Sequence, residues 1–358
     1  MPLYRIIFLL MILASVSACY RMPMESGYAG PTERPQALLE YHSYRSSYAV
    51  YSEELLSKER DYSIKQIVLE TDAGSTTIDY YDTGQNNPEL IFVFPVLGGR
   101  PVISTHFAEY FAKSGFDAAI VHRRNEFKEP ERVKYLEEFI REGVIRDRNA
   151  IDYFEKEHGK TVFGTFGVSR GGINVAITAG VDNRLEYNVI ALGGADLAAI
   201  FKHSRERRLR NFIESVSEQR KITKEQTYLY LDQLIKTDPK YVAKYIDAEK
   251  TLLMLARCDT SVPFKYGKLL RSEIGNPETI YFFAGHKTSA LFTQYLKLIP
   301  PIEGYCFFPP PYIEQESLLF FKKAFNRGPS TAALFFLRAL QFPVNLGATV
   351  LNKMGLLN

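Results

Sequence analysis

The chain has 358 residues, 46% of them hydrophobic and 24% charged, which is ordinary globular composition, so disorder is not the default. Forty-four Lys and Arg against 41 Asp and Glu leave a net charge of +3, too balanced for a dedicated nucleic-acid binder. There are three cysteines and no C-x-x-C or His/Cys cluster at metal-ligand spacing, so neither a metal nor a cofactor is expected.

The N-terminus reads as a targeting segment, separate from the fold. Met1–Arg5 is short and basic, and Ile6–Ala14 is an apolar run too short to span a bilayer. It ends in Val16-Ser17-Ala18-Cys19, small residues followed by cysteine. This resembles a bacterial lipoprotein signal with its lipobox. The resemblance implies removal of residues 1–18, diacylation of Cys19 and a membrane-tethered, otherwise soluble protein, since two acyl chains suffice for stable anchoring. Tyr20 in place of Asp after the cysteine implies the outer membrane, with the protein facing the periplasm. In such an oxidising compartment Cys258 and Cys306 are either a disulfide or two thiols, with burial expected for Cys258 at the end of an apolar run.

Residues 19–62, rich in Tyr, Ser, Pro and Glu, read as a tether and N-terminal extension with one polar helix around Ser46–Arg60. From there the pattern is regular. Ile64–Glu70 and Thr76–Tyr81 alternate as strands about a turn at Asp72-Ala-Gly74. Glu89–Phe94 is a continuous apolar strand of the kind found inside parallel sheets, followed by Pro95-Val96-Leu97-Gly-Gly-Arg100 and a helix from Ser104 to Ser114. Phe116–Val121 is a further strand and Val144–Glu157 an amphipathic helix.

At Thr161-Val-Phe-Gly-Thr-Phe-Gly167-Val-Ser169-Arg170-Gly171-Gly172 an apolar strand breaks into small residues and resumes as a helix from Ile173. A G-x-S-x-G pattern at such a junction lifts a serine hydroxyl out of a tight turn and aims helix-start amides at charge developing beside it. Strand Asn188–Leu192 ends in Gly193-Gly-Ala-Asp196. Leu197–Glu249 is helical and charged, including the basic run Lys202–Arg210, and interrupts the alternation as an inserted cap. That run reads as a solvated helix face able to lean on anionic head groups. Strand Thr251–Ala256, helix Tyr266–Ile274, strand Thr279–Phe283, helix Leu291–Leu298 and helix Ile313–Phe325 follow. Alternating strands and helices imply an α/β fold with a mostly parallel sheet covered on both faces.

A serine needs a base, and the base needs a group to fix its tautomer. Among six histidines, His286 follows a strand, as Asp259 follows the strand before it, and loops after parallel strands gather at one edge. Elbow, D-T-S-V-P and G-H-K in the order Ser, Asp, His resemble an α/β-hydrolase over about Ile64–Phe325. The separations leave room for a cap before Asp259 and for one helix and one strand after it. The resemblance implies a hydrolase domain over residues 63–328, a helical cap at 197–249 and a C-terminal helical extension over 329–358. It also implies Ser169 as nucleophile, His286 as base then acid, Asp259 as orienting carboxylate, and an oxyanion hole from the N–H of Arg170 with that of Leu97 or Val96. Asp196 is the rival acid, one strand earlier. Arg100, Arg123, Arg124 and Arg170, on loops at the same edge, are candidates for an acidic substrate group. The implied activity is hydrolysis of a small-molecule or lipid ester. A peptidase or acyltransferase would use the same triad, and a catalytically silent envelope scaffold is the alternative of a different class.

Overall fold

A computed structural model of the chain describes residues 19–97, 101–123, 129–293 and 312–328. Ten strands form one mixed sheet: β1 (Cys19–Met22), β2 (Tyr48–Lys58), β3 (Ser63–Thr71), β4 (Gly74–Asp82), β5 (Glu89–Phe94), β6 (Asp117–Val121), β7 (Val162–Val168), β8 (Leu185–Ala191), β9 (Thr251–Ala256) and β10 (Glu278–Phe282). Their order is β1-β10-β9-β8-β7-β5-β6-β4-β3-β2. The six from β10 to β6 run parallel, and β1 at one side and β4, β3 and β2 at the other pair antiparallel.

The helices are α1 (Gln36–Tyr41), α2 (Pro101–Lys113), α3 (Leu136–His158), α4 (Arg170–Val181), α5 (Leu197–His203), α6 (Arg207–Arg220), α7 (Lys224–Leu234), α8 (Pro239–Val242), α9 (Phe264–Ile274) and α10 (Tyr312–Ala324). All six residues of β5 are buried, because helices cover both faces. Leu90, Phe92 and Phe94 share a cluster with Phe154 of α3 and Val175 and Ala179 of α4. Ile91 and Val93, pointing the other way, join Phe107 and Phe111 of α2 and Phe321 of α10.

Register brings the working ends of the strands together. Phe94 pairs Gly167, Val168 pairs Ala191, and Ala256 pairs Phe282. The segments after these residues therefore leave the sheet along one edge. Between β8 and β9 the helices α5 to α8 fold over that edge. Leu197, Ile200, Phe201, Leu209 and Phe212 cluster there with Ile173 and Ile177 of α4.

The segment expected as a tether is built into the fold. Where a helix was expected at Ser46–Arg60, β2 pairs antiparallel with β3 over eleven residues, with register shifts at Val50/Ser52 and Leu55/Ser57. Most of its side chains are exposed, so no buried face marks its period, and backbone pairing to β3 decides the conformation. At the opposite edge β1 pairs β10, with Arg21 salt-bridged to Glu278 and Glu316. Arg34 donates to the carbonyls of Ala179 at 2.8 Å and Gly180 at 2.9 Å, closing the C-terminal end of α4 with a cation. These anchors are all long-range contacts that no local pattern announces.

The signal segment 1–18, Arg100, Arg124, Cys306, most of the helix expected at Leu291–Leu298 and the extension at 329–358 lie outside the described residues. Thr288–Phe292 forms a short 3-10 turn. Cys258, expected to be buried, is exposed.

Candidate active site

Strand β7 passes into α4 through Ser169, whose φ of 59° and ψ of −121° lie outside the regions a serine prefers. Two glycines let the chain turn there. A Cβ on Gly167 would stand 2.3 Å from the carbonyl carbon of Gly171, and one on Gly171 would stand 2.3 Å from the carbonyl oxygen of Phe94. The turn is held by the Ser169 N–H donating to Ala191 O at 2.8 Å. Arg170 is the first residue of α4, so its N–H lies at that helix start, beside Ser169.

His286 lies on the loop after β10. The Gly285 N–H donates to Thr288 Oγ1 at 2.8 Å and Ser289 N–H to Gly285 O at 2.9 Å, which bends that loop back toward the elbow. Its Nε2 is 2.9 Å from Ser169 Oγ and its Nδ1 is 2.6 Å from Asp259 Oδ2. Asp259, on the loop after β9, is 6% exposed. A carboxylate only accepts, so Nδ1 carries the proton and Nε2 is left to accept from the serine hydroxyl.

The rival acid is elsewhere. Asp196 caps α5, accepting from the Ala199 N–H at 3.3 Å and from Lys240 Nζ at 3.2 Å. The other histidines have partners of their own: His42 with Thr237, His106 with Glu314, His122 with Asp79, His158 with Tyr153 and His203 with Tyr266.

Beside Ser169 opens a cavity of about 540 Å³, lined mainly by apolar side chains that include Ile173, Ile177, Leu197, Ile200, Phe201 and Leu209. Val96 and Leu97 reach its wall, as does Arg170. Arg123 also reaches it, but its guanidinium is salt-bridged to the buried Asp147 and lies over the Phe94 ring, with 5.4 Å to the centroid. Burial holds the Asp147 carboxyl above its ordinary pKa, with the Arg123 charge opposing that rise. The charge expected to meet an acidic substrate is thus already matched inside the protein. Among the described residues no group of His, Cys, Asp and Glu is placed to hold a metal ion.

Three contributors were not foreseen. Ile200, Phe201 and Leu209 of the cap line one wall, the first two just before the basic run and Leu209 within it. Asn174 lines the cavity with its Nδ2 buried and without a partner among the described residues. Arg208, an exposed residue of α6, donates to the carbonyl of Leu97 at 2.9 Å.

No protein-family model matches the sequence, and no curated protein matches it. Solved structures do resemble it. The acetyl xylan esterase 1 of Thermoanaerobacterium sp. JW/SL YS485 is 12% identical, with a TM-score of 0.55 over 74% of this chain and 94% of that one. The acetyl xylan esterase of Paenibacillus sp. R4 is 16% identical, with a TM-score of 0.51 over 70% and 86%. The acylaminoacyl peptidase of Pyrococcus horikoshii is 16% identical, with a TM-score of 0.51 over 77% of this chain and 43% of that one. At such identities the likeness is one of architecture: the chain has the α/β-hydrolase fold, with a helical insertion between β8 and β9.

Proposed function

We propose that the protein is a serine hydrolase that cleaves carboxylic esters through an acyl-enzyme on Ser169. One observation carries the reading: the unbroken hydrogen-bond chain from Ser169 through His286 to Asp259 at the mouth of an apolar cavity. Ser169 Oγ attacks the ester carbonyl as His286 Nε2 takes its proton. The imidazolium is stabilised by the Asp259 carboxylate. The oxyanion is held by the N–H of Arg170 together with that of Leu97 or Val96. Collapse breaks the ester C–O bond, and His286 returns the proton to the departing alcohol. Water then repeats the sequence on the acyl-enzyme.

The cavity volume is in the usual range for small-molecule sites, and its apolar walls favour an ester with an aliphatic or aromatic part larger than acetyl. Nitrophenyl esters of graded acyl length test this directly. The reading requires turnover by the wild-type protein, lost in Ser169→Ala, that rises with chain length before falling. Turnover undiminished in Ser169→Ala would remove the serine from the chemistry.

The lipobox pattern supports a second part of the proposal, that the mature protein is anchored by acyl chains on Cys19 and faces the periplasm from the outer membrane. Cys19 is 1% exposed and pairs Phe282 at the end of a four-residue strand. An acylated Cys19 would have to leave both that terminal pair and the apolar cluster its side chain shares with Phe282 and Tyr312. Labelled palmitate should enter the wild-type protein and not Cys19→Ser; equal labelling of both would sink the anchor.

A further inference from the structure

The Lys and Arg side chains of the basic run are exposed, as on a solvated face, but its middle, Ser204–Arg208, also makes specific contacts with the loops of the site. Ser204 is 5% exposed and its Oγ donates to Ser261 O at 2.6 Å. The Arg205 N–H donates to Thr260 O at 2.7 Å. Both acceptors lie on the loop that carries Asp259. Glu206 approaches Lys287, the neighbour of His286, with 3.9 Å between Oε2 and Nζ. Arg208 Nη1 donates to Leu97 O at 2.9 Å. Four of these five consecutive residues thus touch the acid loop, the base loop and the loop of the expected oxyanion donors.

These contacts differ in weight. The Glu206–Lys287 pair involves a lysine side chain that is 84% exposed, and such pairs contribute little. The Ser204 and Arg205 bonds fasten the strap to the acid loop beside a buried side chain. Arg208 is the one that reaches the opposite wall, and both it and Leu97 line the cavity. Residues 95–97 leave the sheet at Phe94, whose strand is held by β6 and β7. The exposed Arg208 guanidinium bonds the Leu97 carbonyl at the far end of this segment, which restricts how the residues between can turn.

We propose that Arg208 is a positioning residue for the oxyanion loop: held by the Ser204–Arg205 strap, it fixes the Leu97 carbonyl and thereby keeps the Val96 and Leu97 amides aimed beside Ser169. The inference rests on the serine-hydrolase reading, and it gives the basic run a role in the site instead of at a membrane surface. Oxyanion donors act by being in place before charge develops, so loosening them costs turnover more than binding.

Arg208→Gln and Arg208→Lys test it, with ester kinetics and amide hydrogen exchange read on the same proteins. Arg208→Gln should lower kcat about tenfold, less than outright loss of a donor, with KM held within about twofold. The pH profile of kcat should keep its shape, because His286 and Asp259 are untouched, and Arg208→Lys should recover part of the loss. Exchange at Val96 and Leu97 should quicken about tenfold while Ser261 and Val262 stay as they were. A rise in KM at constant kcat would overturn the proposal by making Arg208 a substrate contact. Unchanged exchange at Val96 and Leu97 would overturn it irrespective of the kinetics. A wild-type protein that turns over no ester would instead count against the hydrolase reading, with the exchange measurement still deciding whether Arg208 pins the loop.

Discussion

Asp259 divides its carboxylate between two tasks, and His286 receives only one of the oxygens. Oδ1 accepts the N–H groups of Ser261 at 2.8 Å and Val262 at 2.9 Å, which fixes the side chain on its own loop. Oδ2, so oriented, meets His286 Nδ1 at 2.6 Å. Replacing Asp259 by Asn leaves an amide that can turn its NH₂ toward Nδ1 and select the wrong tautomer. The expected loss in kcat is about ten-thousand-fold with the fold retained. Asp196→Asn should keep kcat within about twofold and cost at most about 1 kcal/mol at the α5 cap. Ester kinetics on the two variants separate them, and the reverse order would move the acid to Asp196.

Gly171 is where the elbow touches the oxyanion strand. A methyl there would press on Phe94 O, a backbone atom that cannot swing aside. Gly171→Ala should destabilise the protein by about 1–3 kcal/mol, read by denaturant unfolding. Its larger effect should be on turnover, because α4 must shift relative to residues 95–97, and a displacement near 1 Å can cost about a hundredfold. A variant with wild-type kcat would show that the contact is slack.

Asn174 presents the opposite case, a buried polar atom with no partner among the described residues. Leucine has nearly the same shape and no such debt. Asn174→Leu should leave stability unchanged or raise it by up to about 1 kcal/mol. Thermal unfolding checks this; a loss of similar size would reveal a partner for the amide.

Asp182, at the end of α4, carries a pH signature. Burial acts to raise its pKa, but bonds from Arg184 and the nearby Arg148 charge outweigh burial and hold it below the ordinary carboxylate value. Arg148 Nε donates to it at 2.9 Å and Arg184 Nη2 at 2.7 Å. A depressed native pKa means stability that is present above the unfolded value of about 3.9 and lost as the pH falls through the native one. Asp182→Asn should therefore lower Tm at pH 7, and the gap to wild type should close as the pH drops below about 4. A gap independent of pH would assign the cost to packing instead.

Much of this site is written in local pattern. β5 and β9 are continuous apolar runs because helices cover both faces, and such runs declare themselves without context. Gly167 and Gly171 flank Ser169 because backbone atoms approach where a side chain would stand. Asp259 and His286 follow strands, so parallel topology alone sends them to one edge. What was hidden depends on pairing at a distance. Glu53-Glu54-Leu55-Leu56 suits a helix, and only the edge of β3 makes it a strand. Arg208 sits among like charges, and nothing near it in sequence names Leu97 as its acceptor. Arg123 has the same difficulty in reverse: its loop position suggests a ligand, while its partner Asp147 lies on α3.

The central claim is that Ser169 is a nucleophile made reactive by His286. A fluorophosphonate probe reacts covalently with such a serine and spares an ordinary one. Wild-type protein should be labelled once, at Ser169, with labelling abolished in Ser169→Ala and strongly slowed in His286→Ala. Folded wild-type protein that stays unlabelled, or label that persists in Ser169→Ala, would contradict the account.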